Sequence, residues 1–330
     1  MAGTTLAHSF FARGAKVLVM DNAPQVSSSK VAAGIWNPVV FRKYTQSFMA
    51  PVLLNFNSKF YPGLEQQLGA RFYYPTRYYK IFSSADDIQH WKGKLAYPDV
   101  AEFMEPGIYT GLDDNQYKAP FDAAEILQCG YLDTRTYLER SAVFFKEQNA
   151  LLTGQFDYNS LVIDPDYIEY QGITAKKIIF CEGVKALDNP WFGKLPFSPA
   201  KGEVLTIKAD LQGMENTIIN KGIFIVPVGE GIFRAGSTYR WEDLSHTPTD
   251  DALQELKDKL FALLKVPYEI IEHKAAVRPA IQGRRPVLGL HPHHHQLGIF
   301  NGLGSRGVML APYFASQLVN HLLSNTPLHP

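Results

Sequence analysis

Three glycines stand directly before the last apolar-periodic segment of the chain, in the run LGIFNGLGSRGVMLAPYFASQLVNHLL. Gly302, Gly304 and Gly307 form a turn that aims the free N–H groups and the positive end of the following helix at a ligand. At the other end of the sequence, Met1, Ala2 and Gly3 match the final x-x-G of the fingerprint G-x-G-x-x-G, whose glycines let backbone approach a pyrophosphate at a helix N-terminus. Asp21 falls where an acid binds the ribose hydroxyls of a dinucleotide. Helix, glycine, strand and acid also follow one another in many α/β proteins, so a plain structural reading stays open at this point.

The elements that must position these residues are legible around them. Leu6, Ala7, Phe10 and Phe11 recur at helical spacing until Gly14 stops the pattern. Val17 to Met20 then reads as a short buried parallel strand ending in Asp21. Together they form the second half of a βαβ nucleotide-binding unit. The first strand and first two glycines of that unit are absent, and we expect Met1 to be an internal methionine of a longer chain or the gene to be truncated. Beyond Asp21, the loop PQVSSSK leads to Ala32, Ala33 and Gly34 beside the bulky Ile35 and Trp36. Small residues there permit backbone to approach something flat; a serine-rich turn before a buried helix is the alternative.

Composition narrows the class. The chain has 330 residues, 46% of them hydrophobic, enough to bury a large core in two lobes or one big domain. Lys and Arg number 32, as do Asp and Glu, so no overall field draws the protein to nucleic acid or an anionic membrane, although a local basic groove stays open. Only Cys129 and Cys181 are present, without a charged-then-apolar leader, which predicts a reducing, cytoplasmic setting. Neither belongs to a C-x-x-C pair, and both read as small buried hydrophobes. No apolar stretch reaches the about 18 residues of a membrane span. His291, His293, His294 and His295 lie in a Pro-containing link without separated partner ligands, so no metal site is expected.

The order of segments along almost the whole chain resembles the DAO family of FAD-dependent oxidoreductases, the glycine oxidase and D-amino-acid oxidase type. VSSSKVAAG is similar to the family's segment along the ribose and isoalloxazine, GYLDTRTYLERSAVFF to its strand and helix returning to the cofactor, and AKKIIFCEG to the strand and turn beside the adenosine half. PAKGEVLTI, IFIVPVGEGIFRAGSTY and a helix from Asp250 to Leu264 resemble the substrate-domain sheet. The closing block, AAVRPAIQGRRPVLG followed by the glycine turn and last helix, is the most specific match. The resemblance implies non-covalent FAD, since no cysteine follows Cys181. It implies cofactor contacts from Gly3, Asp21, Ser28, Ser29, Ala33, Gly34, Gly183, Gly302, Gly304, Gly307, Val308 and Met309. Glu182 stands where the family often has Thr.

It further implies the chemistry: oxidation of the C–N bond of a small amino acid or secondary amine by hydride transfer to flavin N5, with no protein nucleophile. Arg278 takes the position of the family arginine that often holds the substrate carboxylate, and Arg306 is a second candidate; a planar guanidinium binds both carboxylate oxygens. Capping of backbone carbonyls, or an internal ion pair, is the alternative for each. Tyr239 lines the pocket roof or is a core tyrosine. Arg284 and Arg285 replace a segment that in relatives often holds an Asp before the Pro.

The implied fold is α/β, an FAD/NAD(P)-binding Rossmann-like domain interleaved with an α+β substrate domain on a mainly antiparallel sheet. We expect 1–45, 126–200 and 275–330 in the former and 46–125 and 201–274 in the latter. Two further functions fit the layout: an FAD domain acting on a modified tRNA wobble uridine, disfavoured by the neutral charge, and an inactive truncated paralogue. The expected partner is a small amine or amino-acid substrate.

Overall fold

The computed structural model describes residues 1–23 and 26–328, so Pro24 and Gln25 of the serine-containing loop lie outside the described residues. Its largest element is a seven-stranded sheet in the order Tyr268–Arg278, Ala200–Ala209, Ile232–Gly236, Phe224–Gly229, Thr217–Asn220, Arg77–Ile81 and Ala123–Ile126. Every neighbouring pair is antiparallel except Thr217–Asn220 with Arg77–Ile81. Leu205, Ile207, Ile219, Ile225 and Phe233 supply the apolar face, covered by Leu256 and Leu260 of helix Asp250–Phe261. That helix was expected to reach Leu264. It ends at Phe261, where the chain tightens into a turn with Leu263 N–H bonded three residues back to Leu260 O at 3.0 Å.

The other parallel pairs are small. Val19–Asp21 runs beside Leu151–Thr153, and Ile178–Phe180 runs beside Leu297–Asn301, whose far edge carries Val287–Leu290 antiparallel. The first of these departs from the buried strand expected over Val17 to Met20. Its partner offers three residues and pairs on one edge only, so Val19 and Met20 are half-buried and Leu18 is 46% exposed.

Helix Ala2–Phe11 forms as its spacing predicts and packs on the closing helix, Gly307–Ser324. Its buried face is more polar than the pattern suggests: Thr5, His8 and Ser9 are enclosed, whereas Phe10 and Phe11 are half-buried. Helix Thr134–Glu147 makes this tolerable by supplying partners, Tyr137 Oη 3.1 Å from Thr5 Oγ1 and Ser141 Oγ 2.9 Å from His8 Nε2. Burial keeps His8 neutral, its pKa pushed down to about 4. Cys129 is buried and Cys181 half-buried; both are free, and burial pushes both thiols up, Cys181 to about 12.

The closing helix contains Pro312, which has no N–H to give the carbonyl of Val308 one turn earlier. The long helix Ala50–Leu68 fills that need. Tyr61 Oη donates to Val308 O at 2.7 Å, and Asn57 Nδ2 donates to Val308 O at 3.3 Å and Met309 O at 3.0 Å. A proline in one helix is thus matched by two polar residues in another, which take the carbonyls of its first turn. Among the described residues no helix is long and apolar enough to cross a membrane.

Candidate active site

The loop entering the closing helix is built by glycine conformations. Gly302 (φ +76°) and Gly304 (φ +55°) occupy the left-handed region, which side chains other than glycine rarely adopt. Their N–H groups donate to Asn301 Oδ1 at 2.8 Å and Pro279 O at 3.1 Å. Asn301 Nδ2 in turn donates to Gly183 O at 2.9 Å, tying the turn after Ile178–Phe180 to this loop. Arg306 caps the helix, with Met309 and Leu310 N–H on its carbonyl. Gly307 and Val308 N–H have no hydrogen-bond partner among the described residues, the state expected of a first helical turn waiting for an acceptor.

The two helix starts meet here. A side-chain carbon on Gly307 would come within 3.4 Å of Met1 Cγ, and one on Gly3 within 3.2 Å of Cys181 Cβ. The Met1 amino group donates to Ser29 Oγ at 3.2 Å. Ser28 opens the short helix Ser28–Val31, capped by Ser27, and Asp21 stands exposed at its strand end with Oδ1 accepting from Ala23 N at 2.8 Å. Ser29 and Gly307 therefore both approach Met1, and Gly3 packs on Cys181. Buried Ala33 and Gly34 lie beside strand Gly130–Leu132, and the close approach expected there is made to protein: Leu132 N–H donates to Gly34 O at 3.0 Å, and a side chain on Gly34 (φ +73°) would collide with the Leu132 carbonyl. Glu182, beside Gly183, accepts from Tyr158 Oη at 2.5 Å and Asn189 Nδ2 at 2.9 Å; burial pushes its carboxyl up against the pull of these two bonds.

Arg278 ends strand Tyr268–Arg278 and turns its guanidinium over Gly202 of the neighbouring strand. Nη1 donates to Lys201 O at 3.2 Å, and Nη2 to Ser237 Oγ at 2.7 Å and Thr238 O at 3.2 Å. The Tyr239 ring lies on its face, 3.9 Å from Cζ to the centroid. The backbone-capping alternative therefore holds, yet it uses three of five N–H donors and brings no counter-charge. Arg306 has no side-chain hydrogen bond or ion pair among the described residues. Burial lowers the pKa of both guanidinia, with Tyr239 pulling the other way in each case and Arg284 adding to the lowering at Arg306. Arg278 and Tyr239 are thus in contact, a desolvated cation without an acid, and the charge of Tyr239 also reaches Arg306. Tyr239 itself is 42% exposed and is no core residue.

Gly202 is the empty space Arg278 fills, since a side chain there would collide with the guanidinium. Gly202→Ala is expected to displace Arg278 while leaving the sheet paired. Its measurable result is weaker binding of carboxylate ligands by about 10-fold, the order of one charged hydrogen bond, with an unchanged far-ultraviolet circular dichroism spectrum.

Sequence reasoning missed several supports. Ser237 gave no signal beyond its place in a Gly-Ser-Thr turn. Lys201 and Glu203, charged residues at i and i+2 directly before the apolar pair Val204 and Leu205, were the available signal for a buried ionic cluster. Asn57 and Tyr61 follow from Pro312 only once the two helices are seen side by side. In the histidine run, His291 Nδ1 accepts from the backbone N–H of His293 and His294, both at 3.2 Å. Among the described residues no group of three or more His, Cys, Asp or Glu could hold a metal.

A family model, DAO, described as FAD dependent oxidoreductase, matches residues 1–321. The chain is 24% identical to a glycine oxidase of Pseudomonas putida over 351 aligned positions, covering 98% of this chain and 92% of that protein. Among solved structures, glycine oxidase from Bacillus cereus superposes with a TM-score of 0.81 at 17% identity, covering 99% of this chain and 93% of that one. Iminodiacetate oxidase from Chelativorans superposes with a TM-score of 0.80 at 18% identity, covering 100% and 95%. At these identities the superpositions establish a shared fold, the expected α/β cofactor domain with a substrate domain on a mainly antiparallel sheet.

Proposed function

Because the chain belongs to the DAO family of FAD-dependent oxidoreductases, we propose that it oxidises the C–N bond of a small amine carrying a carboxylate, with Arg278 as the carboxylate anchor. Its class is that of an FAD-dependent amine or amino-acid oxidoreductase. The finer reading rests on one observation: the Arg278 guanidinium is desolvated, faces no acid and keeps unused N–H donors.

The residues present fit FAD. The free N–H groups of Gly307 and Val308, at the positive end of an 18-residue helix, suit an electron-rich ring edge, and the exposed Asp21 carboxylate suits ribose hydroxyls. Gly3, Ser28, Ser29, Ala33, Gly34, Gly183, Gly302, Gly304 and Met309 are the remaining proposed contacts. We assign 1–45, 126–200 and 275–330 to the cofactor half and 46–125 and 201–274 to the substrate half.

Bound FAD supplies the acceptor for the hydride that leaves the carbon next to nitrogen. The chain's own residues position the substrate. Arg278 offers its remaining donors to the carboxylate, Tyr239 fixes the plane of that guanidinium, and Arg306 supplies a second cation nearby. The amine enters neutral; loss of hydride from carbon and a proton from nitrogen leaves an imine, which water hydrolyses. No side chain has to act as nucleophile.

The test is dye-linked turnover by the flavin-loaded protein on a panel of glycine, N-methylglycine, iminodiacetate and the matching amines without a carboxylate. Preference for the carboxylates supports the reading. Equal turnover of the uncharged analogues overturns it.

A further inference from the structure

Lys201 has no exposure, an unusual state for a lysine. It lies on strand Ala200–Ala209, two residues from Glu203, which is equally enclosed. Its ammonium donates to Asp243 Oδ2 at 2.5 Å, to Ser245 Oγ at 3.2 Å and to Thr247 O, and it stands 3.6 Å from Glu203 Oε1. Glu203 accepts from the N–H and the hydroxyl of Thr249, both at 3.0 Å, and lies 2.8 Å from His273 Nε2. Four separate points of residues 243–249 are thus fastened to two strand residues.

The same two residues hold the beginning of that segment through their backbone. Lys201 N–H and O pair with Arg240 O and N–H at 2.8 and 3.1 Å, and Glu203 N–H donates to Thr238 Oγ1 at 3.0 Å. Lys201 O is also an acceptor for Arg278. Arg240 gives the segment one further attachment, to Glu255 on helix Asp250–Phe261. Ser237, Thr238 and Tyr239, all in contact with the Arg278 guanidinium, lie in the first turn of this segment. The peptide from Tyr239 to Thr249 contains no regular secondary structure apart from the bridge at Arg240. Side-chain fastening is therefore what gives it one shape.

We propose that Lys201 is a positioning residue for the carboxylate anchor: its ammonium, through Asp243 and Thr247, holds the 237–249 segment so that Tyr239 and Thr238 present Arg278 in one orientation. The inference rests on the proposed role of Arg278. A buried cation that makes several charged hydrogen bonds is costly to leave half-satisfied, so the cluster has two states, fastened and released. Release frees Tyr239 from the guanidinium face and lets Arg278 choose other partners.

The experiment uses the flavin-loaded full chain. Asp243→Ala, a change at a half-exposed residue that the fold tolerates, and Lys201→Met are compared with wild type for turnover of a carboxylate amine and a carboxylate-free amine. Lys201→Arg is the conservative rescue. The expected result is a rise in KM for the carboxylate substrate of about 5- to 10-fold in Asp243→Ala, with kcat and the carboxylate-free substrate changed less than about 2-fold, and partial return in Lys201→Arg relative to Lys201→Met. Equal losses on both substrates, or an unchanged KM in Asp243→Ala, overturn the proposal. Arg278→Ala run alongside separates the two ideas: if it too leaves KM unchanged, the anchor itself is wrong; if it alone raises KM, only the role of Lys201 fails.

Discussion

Arg278→Ala is expected to keep the flavin bound and to lower kcat/KM for carboxylate-bearing amines by about 10- to 100-fold, nearly all of it in KM. The magnitude is that of losing charged hydrogen bonds worth about 1.5–3 kcal/mol in a desolvated setting. The flavin is expected to be spared because none of the guanidinium's protein partners, Lys201 O, Ser237 Oγ and Thr238 O, belongs to the glycine turn, which is tied to this strand by backbone, through Gly304 N–H on Pro279 O, a bond the substitution leaves in place. Three protein acceptors lose their donor, so a modest fall in stability accompanies the kinetic effect. Arg278→Lys should recover little, since a point charge cannot reproduce the planar fork or its stacking on Tyr239. Steady-state kinetics with and without a substrate carboxylate, together with the visible flavin bands, decide the matter; an unchanged KM removes Arg278 from the site.

Gly34→Ala should have the largest effect on stability. The residue has φ +73°, and the added methyl would collide with the Leu132 carbonyl, which is backbone and cannot swing aside. A positive-φ penalty of about 1 kcal/mol or more joins a steric one, and a loss of about 3 kcal/mol or greater follows. Chemical denaturation should show a lower midpoint with an unchanged slope. Because Leu132 N–H donates to Gly34 O, the displaced backbone would also pull Gly34 from strand Gly130–Leu132 and shift neighbouring Ala33. A midpoint within error of wild type would mean that the Gly34 turn relaxes freely.

Much of this architecture was legible in the residues themselves. The periodicity of Leu6, Ala7, Phe10 and Phe11 located the first helix, and the glycine turn before Val308 located the last, because both signals are local and their chemistry belongs to the backbone. What failed was decided by partners distant in sequence. The apolar spacing carried no sign that Thr5 and His8 are buried as well, with helix Thr134–Glu147 supplying their hydrogen bonds. Gly34 read as a place of close approach, which it is, with Leu132 as the neighbour the sequence could not name. Arg278 and Tyr239 are 39 positions apart and meet because strand Tyr268–Arg278 pairs with Ala200–Ala209, to which the start of the Tyr239 segment is also bonded. Period and composition carry no information about such crossings.

The short parallel pairs have a kinetic consequence. Strands Val19–Asp21 and Ile178–Phe180 each have one bonded edge, whereas Leu205 and Ile207 of the large sheet are bonded on both sides and buried. Amide protons in the three-residue strands can meet solvent through brief local openings, while those at Leu205 and Ile207 wait for the whole domain to unfold. If the cofactor binds where we propose, a ligand that leaves on local opening slows exchange in the small strands by a factor of one plus the ratio of free ligand to Kd, and the same linkage slows the global exchange of the large sheet. Exchange in the small strands, followed as FAD is added, would therefore read occupancy of the proposed cofactor site without any assay of turnover.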